Sequence, residues 1–327
     1  MVKLLEVNHL QTSFMKNKIY TNFTSDVSFM VKEGETVGIV GESGCGKSVT
    51  ALSIIQLLSK NGSVTGGNIL FEGKDLLKLN KKEMNKIRGN EISMISQDTM
   101  SSLNPVFTIG NQMIEAIKIH QKVDSTVARK KAIELLQKVG LPRSEKIMKE
   151  YSSMLSGGMR QRAMIAMALS SGPKLLIADE PTTALDVTIQ AQIVQLLKDL
   201  REEYKMAIIL ITHDMGLIAE IADRVIVMYA GEIVEETDVY TLFEHPRHPY
   251  TKALLGSIPK VTDFGDRLLA SIPGVVPDNY QDLPGCRFCD RCEFAFEKCM
   301  KHPDIKEIHE GHSVRCYAVW KEDSLDD

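Results

Sequence analysis

No stretch of the sequence reaches the roughly 20 apolar residues that a membrane-spanning helix needs; its longest apolar runs, such as Ala207 to Ile211, have strand length. Met1 to Leu10 carries no long apolar core after its charge, so no signal peptide is expected. The chain is therefore expected in the cytoplasm, with any membrane role exercised through a partner. No block of basic residues dominates and the net charge is −4, so no nucleic-acid partner is expected. The lysines between Lys74 and Lys86 are spread along a polar stretch and read as a solvated helix face. There is no internal repeat and no low-complexity segment. Cysteine is nearly absent before residue 286, where only Cys45 occurs, and five of the six cysteines then fall between Cys286 and Cys316. In a reducing cytoplasm that clustering reads as metal ligation before disulfides.

Apolar residues make up 43% and charged residues 25% of the 327, a composition that supports a packed core. The length suits one large domain plus an appendage, or two domains. Residues 1–30 read as short strands with turn residues among them at Asn8, Asn17, Asn22 and Asp26. A strand follows at Thr36 to Val40, then a Gly-rich loop and a helix whose Val49, Leu52, Ile55 and Leu58 share a face expected to be buried. From about 75 to 155 the pattern is mostly helical and more polar, with a strand at Ile92 to Ile95 and a helical repeat at Val127, Ala132, Leu135, Leu136 and Val139.

Leu175 to Ala178 is a continuous apolar run ending in Asp179-Glu180, which suits a buried parallel strand delivering acids at its carboxyl end. Helices near 187–203 and 215–222 then alternate with strands at 207–211 and 225–229. That alternation predicts an α/β fold, a parallel sheet covered on both sides. Beyond about 243 prolines become frequent, and a boundary is expected near 255, with a linker and a small C-terminal module over 256–327.

Gly41-Glu-Ser-Gly-Cys-Gly-Lys47-Ser48 fits the pattern G-x-x-x-x-G-K-[ST] between a strand and a helix. Glycines let such a loop wrap its backbone N–H groups around phosphate oxygens, and the following helix adds its positive end. Gly41, Ser43, Gly44, Cys45, Gly46, Lys47, Ser48 and Val49 are the expected nucleotide contacts. Lys47 would reach the β- and γ-phosphates, and the Ser48 hydroxyl would ligate Mg²⁺. Asp179 would hold Mg²⁺ directly or through water, and Glu180 would polarise the attacking water as general base. Cys45 reads as a small filler, or as a thiol activated by the helix N-terminus.

Leu155-Ser156-Gly157-Gly158-Met159-Arg160-Gln161-Arg162 resembles the signature motif of ABC ATPases, and it lies in the family's order between phosphate loop and acid-ended strand. Gln97 resembles the Q-loop glutamine, Ala184-Leu185-Asp186 the D-loop, and His213 the switch histidine. Phe14 resembles the aromatic residue that stacks on adenine, with Tyr20 and Phe23 as competitors. The resemblance implies a P-loop NTPase fold with a mixed sheet core, a helical signature subdomain at about 95–165 within an ATPase domain of 1–255, and a cysteine-rich C-terminal module. It implies two ATPase subunits that sandwich ATP, with the phosphate loop of one facing Ser156, Gly157 and Gly158 of the other. Gln97 would join the metal site to the surface that drives the membrane subunits.

Gln97-Asp-Thr-Met-Ser-Ser-Leu-Asn-Pro105, His248-Pro-Tyr-Thr-Lys-Ala-Leu-Leu255 and the late Pro-Gly-Cys…Arg-Cys segment resemble the oligopeptide and dipeptide importers, D-type subunit, although Thr99 replaces a usual proline. Nickel and other metal-chelate importers share parts of these motifs. That branch implies two transmembrane permease subunits, a second homologous ATPase in a heterodimer, an extracytoplasmic solute-binding protein, and a position on the cytoplasmic face of the membrane. The cysteines are spaced Cys286-x2-Cys289-x2-Cys292-x6-Cys299-x16-Cys316. The resemblance implies a [4Fe–4S] cluster held by Cys286, Cys292, Cys299 and Cys316, with Cys289 a fifth thiol. Zinc, with four of the thiols or with His302, His309 or His312, stays open, and the histidines otherwise read as polar surface residues.

Other ABC proteins fit less well. Chromosome-maintenance types place a long coiled coil between phosphate loop and signature, and no sustained heptads lie between Ser48 and Leu155. Translation-factor types carry two ATPase units, and this chain has one. An exporter ATPase would share the ATP site but not the tail motifs.

Overall fold

A computed structural model describes residues 2–97, 102–183, 185–258, 272–277 and 280–323. The strands are β1 (Lys3–Lys16), β2 (Ile19–Lys32), β3 (Thr36–Val40), β4 (Gly62–Phe71), β5 (Lys74–Asp75), β6 (Ile92–Ile95), β7 (Leu175–Asp179), β8 (Ala207–Ile211), β9 (Arg224–Tyr229), β10 (Glu232–Asp238), β11 (Lys306–His309) and β12 (His312–Val314). The helices are α1 (Lys47–Ile54), α2 (Lys81–Ile87), α3 (Ile109–His120), α4 (Ser125–Lys138), α5 (Ser144–Ile147), α6 (Gly157–Ala168), α7 (Val187–Tyr204), α8 (Met215–Ile221), α9 (Val239–Glu244), α10 (Pro249–Gly256) and α11 (Tyr317–Asp323). Among the described residues no helix is long and apolar enough to cross a membrane. The chain forms two compact units, each assembled from separated segments.

One unit is built largely from Lys78–Leu210. In it β7 lies between β8 and β6, and β6 and β7 run parallel from Ile92 opposite Leu175 to Ile95 opposite Ala178. Every residue of β7 is buried, as expected of a parallel strand covered on both faces. Helices α3, α4 and α6 pack on one another. Asp124 caps α4 by accepting the Thr126 and Val127 N–H groups, and Ala128, Ala132 and Leu136 form its buried stripe at four-residue spacing. Val127, expected on that stripe, is exposed.

The other unit holds Leu5–Met30, Thr36–Leu77 and the chain from Ile211 onward. It contains an antiparallel sheet in the order β2-β1-β4-β5 and the strands β11-β12-β10-β9-β3. In the latter, β3 and β9 are parallel while β9, β10, β12 and β11 pair antiparallel, which gives the mixed character. The turns expected at Asn8, Asn22 and Asp26 are not there: these residues lie inside two 14-residue strands, whereas the turn expected at Asn17 is present at Asn17–Lys18, both with positive φ. Asn8 Nδ2 donates to Asn68 Oδ1 across the β1–β4 ladder at 2.8 Å. His9 and Asp26 also have positive φ and meet side chain to side chain at 2.7 Å; His9 lies where the β1–β4 register shifts.

The expected buried face of α1 is also revised. Lys47, Thr50, Ala51, Ser53 and Ile54 are buried, and so is Ile55 at the helix end as expected, whereas Val49 and Leu52 are half-buried and Leu58 lies beyond the helix. Gly46, with φ 99°, sets where α1 starts, and so which face turns inward. Strands β10, β11 and β12 were not expected. Position 255 falls inside α10, and residues 259–271 of the expected linker lie outside the described residues.

Candidate nucleotide site and cysteine cavity

The loop after β3 leaves the carboxyl end of a parallel strand and enters α1, where the helix N-terminus favours an anion. Its glycines are required by geometry. Gly41, Gly44 and Gly46 have φ of 149°, 81° and 99°, and a Cβ on Gly41 would lie 2.1 Å from the Met228 carbonyl oxygen. Lys47 Nζ donates to Gly41 O at 2.7 Å and to Glu42 O at 3.0 Å, so the ammonium is folded into the loop it follows. Ser43 and Gly44 are exposed, Ser48 and Val49 are half-buried, and Cys45, Gly46 and Lys47 are buried. Burial pushes the Cys45 thiol up, against the pull of Lys47, which favours the small-filler reading over the activated thiol. Phe14 and His213 belong to this same unit. Phe14 is half-buried and edge-on to Phe23, with ring centroids 4.9 Å apart; His213 is exposed just after β8.

In the other unit Asp179 ends β7 and is only 3% exposed. Glu180 follows with φ 49°, a left-handed backbone of the kind that stores strain at functional sites. Glu180 Oε2 accepts Gln97 Nε2 at 2.9 Å and Thr183 Oγ1 at 2.9 Å. Gln97, expected to link metal and water, bonds here to Glu180; Thr183 was not foreseen. Asp186 caps α7 by accepting the Ile189 N–H at 2.9 Å. Ser156 caps α6 through the Met159 N–H at 3.3 Å, and Ser156 and Gly157 stay exposed. A Cβ on Gly158 would meet Ile189 Cγ2 at 2.9 Å, so the starts of α6 and α7 pack closely. Ala184 of the expected D-loop, and Asp98 to Ser101 after Gln97, lie outside the described residues.

Cys286, Cys289, Cys292, Cys299 and Cys316 all line one small cavity, together with His248, Phe288, Phe294 and Tyr317. All five are free thiols. Two successive turns arrange the first three, with Cys289 N–H donating to Cys286 O and Cys292 N–H to Cys289 O, while Cys286 N–H donates to Cys299 O at 2.9 Å. Burial pushes the Cys286 thiol up to about 12 and Cys292 up to about 11, and raises Cys289 and Cys316 as well. The five thiols converge on one cavity. Among the described residues no three His, Cys, Asp or Glu groups stand at single-ion coordination geometry.

The three histidines considered as zinc ligands are placed elsewhere. His302 Nε2 meets Glu232 Oε1 at 2.8 Å and His312 Nε2 meets Glu235 Oε1 at 2.8 Å, while His309 is exposed. His312 is buried, which corrects its reading as a surface residue: it is held inside because buried Glu235 needs a partner.

The cysteine segment is bonded to the phosphate-loop neighbourhood by residues that carry no local signal. Arg291 Nη1 and Nη2 grip Glu42 Oε2 and Oε1 at 2.6 and 3.0 Å, and its Nε donates to Pro273 O at 2.7 Å. Arg287 Nη2 lies 3.2 Å from Glu232, and Arg315 Nη2 donates to Asp26 Oδ2 at 3.1 Å. The His248-Pro249-Tyr250 motif acquires a local explanation. His248 Nδ1 caps α10 by accepting the Tyr250 N–H at 3.0 Å, Pro249 takes the first helical position, where a missing N–H costs nothing, and Tyr250 Oη accepts the Glu42 N–H at 2.8 Å.

Comparison with known proteins agrees with these features. Residues 24–183 match the ABC transporter family, and residues 234–299 match the oligopeptide/dipeptide transporter C-terminal region. The chain is 52% identical over 324 residues to the oligopeptide transport ATP-binding protein AppD of Bacillus subtilis, covering 98% of each. It is 47% identical over 315 residues to the dipeptide transport ATP-binding protein DppD of Escherichia coli, covering 96% of each. Among solved structures, the dimeric post-hydrolysis ATP-binding cassette MJ0796 bound to ADP and Pi aligns with a TM-score of 0.65 at 28% identity, over 72% of this chain and 99% of that one. This chain belongs to the ATP-binding proteins of ABC-type peptide importers and is an ATPase.

Proposed function

We propose that Gly41–Ser48 receives the ATP phosphates and that Glu180 activates the attacking water, powering import of oligopeptides or dipeptides. The position of Lys47 carries this reading: its ammonium already sits among the carbonyls of the loop, where β- and γ-phosphates would lie. Ser48 and Asp179 would hold Mg²⁺, which offsets phosphate charge when bound. Gln97 would pass between Glu180 and that metal, His213 would face the γ-phosphate, and Phe14 would stack on adenine. Ser156, Gly157 and Gly158, with Asp186 behind them, would meet the nucleotide of a second, homologous ATPase subunit; the exposed α6 N-terminus supports this. Two permease subunits complete the machine, an extracytoplasmic binding protein delivers solute, and this chain works at the cytoplasmic face of the membrane.

Glu180→Gln tests the assignment. ATP binding should persist while hydrolysis and peptide uptake fall by about 10²-fold or more; near-wild-type turnover would reject Glu180 as the base.

The cysteine cavity is the proposed seat of a [4Fe–4S] cluster ligated by Cys286, Cys292, Cys299 and Cys316, with Cys289 beside them, and zinc is the alternative. Iron, acid-labile sulfide and zinc should be measured after purification without oxygen. About four iron and four sulfide per chain would support the cluster; zinc, or no metal, would reject it.

A further inference from the structure

Glu42 is an awkward residue for its position. It sits inside a loop whose amides must receive a polyphosphate, and a carboxylate there repels that ligand. Its side chain is 28% exposed, while that of Arg291 is 6% exposed. The two form a two-pronged ion pair, the strongest geometry available to a guanidinium and a carboxylate. Arg291 is held by Glu42, by Pro273 O, by Tyr229 Oη at 3.3 Å, by Ile272 O and Gly274 O at 3.5 and 3.4 Å, and by its own N–H donating to Phe288 O. The last bond belongs to the turn Cys289–Arg291 between two cavity thiols. Glu42 is held at its backbone too, through its N–H to Tyr250 Oη. Tyr250 in turn packs on Tyr229 and Phe288, with ring centroids 4.7 and 5.4 Å away.

We propose that Arg291 is a positioning residue for nucleotide binding: it cancels the charge of Glu42, so that the phosphate loop admits the triphosphate. The cysteine segment thereby supplies the loop's counter-charge. This rests on reading Gly41–Ser48 as the phosphate loop.

Charge cancellation separates experimentally from a merely structural brace, because charge can be removed from either partner. Arg291→Ala should weaken equilibrium binding of ATP by about tenfold, as an unpaired carboxylate beside the phosphates implies at an intermediate dielectric, and should raise KM for ATP more than it lowers kcat. Glu42→Gln/Arg291→Ala should regain most of the lost affinity, since the repelling charge is gone. Should Arg291→Ala fail to fold, Arg291→Gln serves with the same expectation, keeping a donor for Pro273 O while removing the charge. Unchanged ATP affinity in the single variant would overturn the proposal. So would a double variant that binds as weakly as the single one, which is what a merely structural brace would give. Lys47→Ala is the control: if it binds ATP like the wild type, the phosphate-loop reading itself is wrong, and the fault does not lie with Arg291.

Discussion

Gln97 donates its side-chain amide to Glu180 Oε2 at 2.9 Å. With Thr183 on the same oxygen, the carboxylate is held in one orientation. In the proposed reaction Glu180 accepts the proton of the attacking water, and Gln97 orients it. Gln97→Ala should keep ATP binding and lower kcat about tenfold, the modest end of acid–base effects, because the base loses its guide but remains. Steady-state kinetics alongside ATP titration checks this, and an unchanged kcat would show that the contact is idle.

Burial pushes the His248 imidazole down to about 4 from its usual 6.5. Its Nδ1 lone pair caps α10, so the fold needs the neutral ring. The unfolded chain takes up the proton near pH 6.5 and the folded chain only near 4. This stability is therefore complete above about pH 6.5 and is lost as pH falls toward 4, amounting to about 3 kcal/mol. Urea unfolding between pH 7.5 and 4.5 should show His248→Gln with a shallower acid loss than the wild type. Equal slopes would contradict it.

Tyr250→Phe removes the acceptor of the Glu42 N–H without changing ring packing. An unpaired amide costs about 1–3 kcal/mol, so the urea midpoint should fall by a matching amount with the slope unchanged. A midpoint equal to that of the wild type would mean the amide finds another partner.

Cys45 is fully buried and burial raises its thiol. Iodoacetamide should leave it unmodified in the native protein at neutral pH and modify it once denaturant is added, as peptide mass spectrometry would show. Native labelling that ATP slows would restore the activated-thiol reading.

Local pattern suffices where burial is simple and partners are near. Thr36–Val40, Ile92–Ile95 and Ala207–Ile211 are legible to the residue because apolar runs of strand length between polar ends admit few alternatives. The phosphate loop is legible because its glycines and lysine are contiguous. β10 is not: four of its seven residues are acidic, and buried Glu232 and Glu235 are tolerated only because Arg287, His302 and His312 arrive from far along the chain. Arg291 and Glu42 stand 249 positions apart, so no spacing rule could join them. Asn8, Asn22 and Asp26 mislead in the other direction, being turn formers that here sit within strands and at a bulge.

β12 lies along β10, with Glu235 opposite Val314 and Glu236 opposite Ser313. A chain cut after α10 would leave β10 as a bare edge whose free amides and carbonyls invite a strand from another copy. His302, His312 and Arg287 would leave with the tail, stranding two carboxylates in the interior. The shortened protein would be a self-associating species rather than a minimal ATPase, because the last strands of the chain serve as the hem of its sheet.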